Sequence, residues 1–242
     1  SSPFSLEAVD LLEKINLKCY KVPSGEITNI PLLKKIAELG KPVLISTGMS
    51  SWDEIKEAVD IFNESKCNIT ILQCTSDYPC MPERSGLNII KEMQKKFPGQ
   101  SIGFSDHTEG FYAPIAAVVM GATVIEKHLT LSKKMYGSDA INSTEPSEFR
   151  ILCDEIKNLK TALKNKVDKD KISQSLNEMK LIFEKSIVFS RNMNKGDIIE
   201  IKDLAFKKPG NGLKPNQYQS IIGRKLKKNV EADKQVHSSD YD

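Results

Sequence analysis

His107 and His128 are two of only three histidines in the chain, and each stands at the polar end of a short apolar run. The runs are Gly103-Phe104-Ser105-Asp106 before the first and Ala122-Thr123-Val124-Ile125-Glu126-Lys127 before the second. Both read as buried strands. In a parallel βα architecture the carboxyl ends of strands converge on one mouth, so two imidazoles distant in sequence can meet there. Imidazole is a good ligand for manganese, cobalt, zinc or iron, and the placement suggests a metal held by His107 and His128. The alternative is a pair of satisfied polar residues at strand ends. The neighbours weigh on this choice: other strands would deliver Lys21, Ser24 and Glu26, then Ser46 and Thr47, then Thr75, Ser76 and Tyr78, then Ser105 and Asp106. Hydroxyls and strand-end amides donate to phosphate and a lysine supplies charge, so this set suits a phosphorylated anion. Alternation along the last strand puts Glu126 on the side of His128, either as a partner that orients the imidazole or in an ion pair with Lys21 or Lys127.

These residues need strands to carry them and helices to separate the strands. Leu6, Val9 and Leu12 recur at helical spacing over 5–14. A strand over 18–22 is followed by a helix over 30–39 that Gly40 stops, then by a short strand over 43–45. Ser51-Trp52-Asp53-Glu54 is a capping box, in which a hydroxyl and a carboxylate each satisfy an orphan backbone N–H, and Ile55, Val59 and Phe62 continue its buried stripe. Further strands over 68–74, at Gly103 and before His128 alternate with helices over 87–97, 112–120 and 146–164. Regular βα alternation means a parallel sheet, either a (β/α)8 barrel or a doubly wound open sheet. No G-x-G-x-x-G turn is present, and every strand carries polar groups at its carboxyl end, which favours the barrel. Eight strands are required and five are found, so the expected fold class is an α/β TIM barrel lacking its first three βα units, roughly 100 residues. Such a half-barrel has two bare strand edges and is expected to aggregate or associate.

The expected domains are a partial barrel over 1–164, a Lys- and Asp-rich linker over 165–185, and a small mainly β module over 186–242. In that module Gly223-Arg224-Lys225-Leu226 reads as a solvated edge. The formal charge of +3, from 35 basic and 32 acidic residues, is too small to argue for nucleic acid. Five scattered cysteines with no C-x-x-C pair indicate neither a disulfide framework nor a zinc ribbon, and a reducing cytoplasm is the natural setting. No apolar run is long enough to span a membrane.

The motifs Lys21-x-x-Ser24-Gly25-Glu26, Ser46-Thr47-Gly48-Met49, Cys74-Thr75-Ser76-x-Tyr78-Pro79, Ser105-Asp106-His107-Thr108, Glu126-Lys127-His128 and Gly137-Ser138-Asp139 stand in the order seen in sialic acid synthases, which the chain resembles over essentially its whole length. Lys195-Gly196-Asp197 and Pro209-Gly210-x-Gly212 resemble the antifreeze-like, or SAF, domain that ends those enzymes. The resemblance implies an enzyme that condenses phosphoenolpyruvate with an N-acetylated hexosamine such as N-acetylmannosamine, giving a nonulosonic acid and phosphate. It implies Mn2+ or Mg2+ on His107 and His128, phosphoenolpyruvate on Lys21, Ser24, Ser46, Ser76 and Ser105, and the sugar on Glu26, Tyr78 and Asp139. It implies also a head-to-tail, domain-swapped homodimer in which the small domain lies over the partner's barrel mouth, with Lys208 standing where the family usually has an arginine that reaches the sugar. Ser76 replaces an asparagine of some relatives, and Gly137-Ser138-Asp139-Ala140 departs from a common Gly-Pro-Asp-His, so the acceptor can equally be one that leads to legionaminic or pseudaminic acid. A heptulosonate-type aldolase would share the barrel but not the tail. A truncated, non-catalytic sugar-binding homologue would bind ligand without turnover.

Overall fold

All residues Ser1–Asp242 are described in the computed structural model, and they divide into two compact units, Ser1–Asn165 and Lys166–Asp242. The first unit alternates helix and strand: α1 (Leu6–Lys14), β1 (Tyr20–Val22), α2 (Ile30–Glu38), β2 (Val43–Ser46), α3 (Trp52–Glu64), β3 (Ile69–Cys74), α4 (Leu87–Lys96), β4 (Ser101–Asp106), α5 (Tyr112–Val119), β5 (Ile125–Lys127) and α6 (Pro146–Lys164). Local chemistry starts these helices where the sequence predicts. Ser5 accepts from the Ala8 amide ahead of α1, and the Ser51–Glu54 box is complete at α3.

The five strands are all parallel and lie side by side in chain order, β1-β2-β3-β4-β5. A doubly wound sheet reverses direction at a switch point, and this one does not. Right-handed crossovers that always step the same way place every helix on one face, the topology of a barrel wall. The helix-facing side chains make the core: Val43, Ile45, Ile71, Ile102 and Phe104 of the strands pack with Leu33, Ile36, Phe62, Ile90 and Met93 of the helices, all buried. Their alternates, including Lys21, Ser105 and Glu126, face the other side, which is the interior of the half-barrel.

The two strand edges expected to be bare are partly covered. The Lys21 amide on the outer side of β1 donates to the Ser1 carbonyl (2.8 Å). Beyond β5, the Thr144 amide donates to the His128 carbonyl (2.8 Å) and the Thr130 amide to the Thr144 carbonyl (3.1 Å), a single parallel bridge that starts a sixth strand position.

The second unit contains helices within the residues expected to form a linker, followed by the small β module. Residues 166–185 are not extended: Asp168 caps α7 (Lys169–Ser175) by accepting from the Asp170 and Lys171 amides, and α8 (Asn177–Phe183) follows. The charged composition disguised them, because their apolar side chains Ile172, Leu176, Met179, Ile182 and Phe183 remain exposed. Then β6 (Ser186–Phe189) pairs antiparallel with β7 (Leu204–Lys207) over a core of Ile187, Phe189, Met193, Ile199, Ile221, Leu226 and Val236. In the stretch read as a solvated edge Gly223, Arg224 and Lys225 are exposed, and Leu226 alone points into that core and bridges to Tyr241.

Candidate active site

The site is built on the register of β4 against β5. Ser105 lies opposite Glu126 and Asp106 opposite Lys127, so the tripeptides Ser105-Asp106-His107 and Glu126-Lys127-His128 are matched residue by residue. On the first rung the Ser105 hydroxyl donates to Glu126 (2.6 Å) on the interior face. On the second, Lys127 and Asp106 form an ion pair of 2.6 Å on the opposite face, with side chains only 3% and 0% exposed. Continuing the alternation returns both histidines to the interior face, where their ring centroids are 5.1 Å apart.

His107 is buried and its orientation is fixed by two contacts: Nδ1 lies 2.8 Å from the Thr75 carbonyl, and its own carbonyl accepts from the Cys80 amide. A carbonyl can only accept, so Nδ1 carries the proton and Nε2 is left with its lone pair. Burial pushes the His107 imidazole below its ordinary pKa, more than the Thr75 carbonyl raises it, and the ring is therefore neutral near pH 7. His128 is less enclosed, with Asp139 Oδ2 3.6 Å from its Nδ1, an electrostatic contact too long for a hydrogen bond. The half-exposed Tyr78 ring covers both imidazoles, at centroid distances of 4.2 Å from His107 and 5.8 Å from His128.

Across the interior, Lys21 reaches Glu126 with both carboxylate oxygens in contact, at 2.6 and 2.5 Å. This selects the ion pair among the readings of Glu126, whose polar partners are Lys21 and Ser105 and not an imidazole. Burial alone would raise the Glu126 carboxyl, but the Lys21 ammonium and the Ser105 hydroxyl outweigh it and hold the group below its usual range. Ser24 accepts from the Gly48 amide (2.9 Å). Gly48 itself sits where three side chains crowd together: a Cβ there would lie 2.3 Å from Ser76 Oγ and 3.0 Å from both Cys74 Sγ and Ser24 Oγ. Ser46, on the neighbouring strand end, is buried and its Oγ has no protein partner, which marks a polar group awaiting a ligand or water.

The residues singled out in the sequence are thus distributed as follows. Lys21, Ser24, Ser46, Ser76, Tyr78, Ser105, His107 and His128 all belong to the strand ends and loops of the first unit, and Asp139 is brought back to His128 by the loop after β5. Glu26 lies in a single turn of 3-10 helix after β1 and accepts from Asn29 Nδ2 (2.8 Å). Lys208 is in the second unit, where its ammonium is 4.9 Å above the Phe183 ring. Three parts were not foreseen: Cys74 Sγ lies 3.9 Å from His107 Nδ1, Thr75 acts through its carbonyl, and Asp106, expected at the mouth, is turned by strand alternation to the opposite face, where it pairs with Lys127. Only the last had a signal, opposite charges each placed just before a histidine.

The donor set fits a divalent ion sparingly. There is no cluster of three His, Cys, Asp or Glu side chains arranged for a metal, so the two imidazoles, one with Nε2 free by its hydrogen bonding, are the protein groups that would hold it. Neutral nitrogen donors suit a borderline cation, and so small a set leaves positions for oxygen ligands.

The sequence signature of the NeuB family matches residues 1–168 and that of the SAF domain residues 184–241. The chain is 40% identical over 239 residues to the N,N'-diacetyllegionaminic acid synthase of Campylobacter jejuni, covering 98% of this chain and 71% of that protein. It is 36% identical over 228 residues to human N-acetylneuraminate-9-phosphate synthase, covering 93% and 63% of the two chains. Among solved structures, N-acetylneuraminic acid synthetase from Leptospira borgpetersenii superposes with a TM-score of 0.68, with 33% identity over 74% of this chain and 63% of that one. No helix is long and apolar enough to cross a membrane.

Proposed function

The chain belongs to the NeuB family, whose named members here are nonulosonic acid synthases, and on that premise we propose that it joins phosphoenolpyruvate to an N-acetylated hexosamine, with water consumed and phosphate released. The observation that carries the reading is the matched pair of strand ends, which brings His107 and His128 to 5.1 Å with Lys21, Ser46 and Ser105 on the same interior face.

In this proposal the anionic phosphoenolpyruvate lies against Lys21, with Ser24, Ser46, Ser76 and Ser105 donating to its carboxylate and phosphate oxygens. The buried, unpartnered Ser46 hydroxyl supports that assignment, because it gains a partner when the ligand arrives. Glu26, Tyr78 and Asp139 hold the sugar, and the Tyr78 ring shields the histidines from bulk water. Lys208 would meet the N-acetyl group in a homodimer. Carbon 3 of phosphoenolpyruvate forms the new bond to the aldehyde carbon, water adds at carbon 2, and the carbon–oxygen bond to phosphate breaks. His107 and His128 would hold Mn2+ or Mg2+, which supplies Lewis-acid polarisation of the aldehyde. The protein's part is alignment and charge: Lys21 neutralises the anion, and the neutral His107 is free to donate its lone pair rather than bind a proton. The five βα units form the later part of an eight-stranded barrel in this reading, supported by their sequential order and by relatives of greater length.

The test is to incubate the full-length protein with phosphoenolpyruvate, Mn2+ and, in parallel, N-acetylmannosamine, a 2,4-di-N-acetylated deoxyhexose and a sugar phosphate without an N-acetyl group. Phosphate release with either of the first two supports the proposal, and the di-N-acetylated sugar is favoured by the 40% identity to a diacetyllegionaminic acid synthase. Release only with the sugar phosphate refutes it.

A further inference from the structure

We propose that Asp106 and Lys127 are positioning residues that set the geometry of the histidine pair, a role that rests on the metal-holding function proposed for those histidines. Each lies immediately before one histidine, they are direct cross-strand partners, and their ion pair spans the two strand ends at 2.6 Å. The pair also grips the chain on the far side of His107. Asp106 Oδ1 accepts from the Thr108 amide (2.9 Å), and Lys127 Nζ donates to the Thr108 carbonyl (2.7 Å). His107 is therefore held at residue 106 and at residue 108 by one two-residue device, and its own carbonyl is tied to the Cys80 amide.

A charged pair at this depth is a poor way to stabilise a core, because apolar residues of similar volume do as well or better once desolvation is counted. The side chains are 3% and 0% exposed, and their interactions are directional hydrogen bonds to the backbone around His107. Directionality is what apolar packing does not supply. Ligand rings must be held to a fraction of an ångström, which is commonly achieved by partners behind the ligands. The pair lies on the face opposite the histidines and touches neither imidazole in the hydrogen-bond pattern, so its effect on them passes through the backbone.

The experiment uses the full-length protein and the neutral double variant Asp106→Asn/Lys127→Met, which removes the ion pair without leaving an unpaired buried charge. If that variant does not fold, Asp106→Asn/Lys127→Gln gives a hydrogen-bonded neutral pair for the same measurements. Two readouts are taken: 15N chemical shifts of the His107 and His128 rings without metal, and Mn2+ affinity by calorimetry. The expected result is a folded variant in which His107 no longer shows the single Nδ1-protonated form, with Mn2+ affinity at least tenfold weaker. A folded variant with wild-type ring shifts and wild-type Mn2+ affinity overturns the proposal and leaves the pair a structural element. If wild-type protein binds no Mn2+, the metal-holding reading of the histidines fails, and the ring shifts still decide whether the pair positions them.

Discussion

Replacing Lys21 by methionine tests the charge logic of the site most directly. The ammonium is 2.5 Å from Glu126 Oε2, and its side chain is 16% exposed against 36% for the carboxylate. At an effective dielectric near 20 the gross attraction at that distance is about 7 kcal/mol. Desolvation and screening of a carboxylate that is more than a third exposed reduce the net contribution to stability to about 1 kcal/mol. Folding should therefore survive Lys21→Met with a small shift in thermal midpoint. Binding of an anion should not survive as well, because charge-assisted contacts are each worth about 1.5–3 kcal/mol. The expected consequence is a rise of about 10- to 100-fold in KM for phosphoenolpyruvate, with KM for the sugar within about twofold of wild type. Glu126→Gln should act in the opposite direction on the same constant, since it frees the ammonium from its carboxylate partner. Steady-state kinetics with each substrate varied in turn makes the comparison. An unchanged KM for phosphoenolpyruvate in Lys21→Met, or equal changes for both substrates, would refute the assignment of Lys21.

The lowered pKa of His107 makes the folded state bind fewer protons than the unfolded chain below the ordinary histidine value of about 6.5. Stability should thus be flat above that pH and fall as pH drops from about 6.5 towards the folded-state value, whereas Mn2+ affinity should fall only as pH drops through that lower folded-state value, a contrast that denaturant melts and calorimetry across pH 5–8 would reveal. Gly48→Ala drives a methyl group to 2.3 Å from Ser76 Oγ, so activity should fall by about tenfold or more, and adding Ser76→Ala should restore thermal stability but not turnover. Phe62→Ala, at a fully buried position beneath β2 and β3, should destabilise the first unit by about 3–5 kcal/mol in urea melts while leaving substrate KM values unchanged in the remaining folded protein.

The alternation of strands and helices was legible because it is local: periodicity, a capping box at Ser51 and stop signals at Gly40 are written in adjacent residues. Polar clusters at strand ends were legible for the same reason, and their convergence followed from parallel topology. Two helices over 166–185 were not, since Asp168 had to be recognised as a cap within a charged run whose apolar residues have no core of their own to reveal them. Partners across strands are a different kind of information. Whether Glu126 met Lys21, Lys127 or an imidazole depended on which face each occupied and on the register of β4 with β5.

That register explains why two unremarkable tripeptides become a site. Ser-Asp-His and Glu-Lys-His are read against one another rung by rung, with Ser105 on Glu126, Asp106 on Lys127 and the imidazoles next. Because side chains alternate with a period of two, a slip of one residue would turn one histidine to the helix layer and bring Asp106 into the interior beside a carboxylate. The buried ion pair forbids that slip, for either charge left alone in the helix layer would lack its partner and the cost of such an unpaired charge is about 3–5 kcal/mol. Residues of opposite sign, hidden on the helix-facing side, thereby keep both histidines on the interior face.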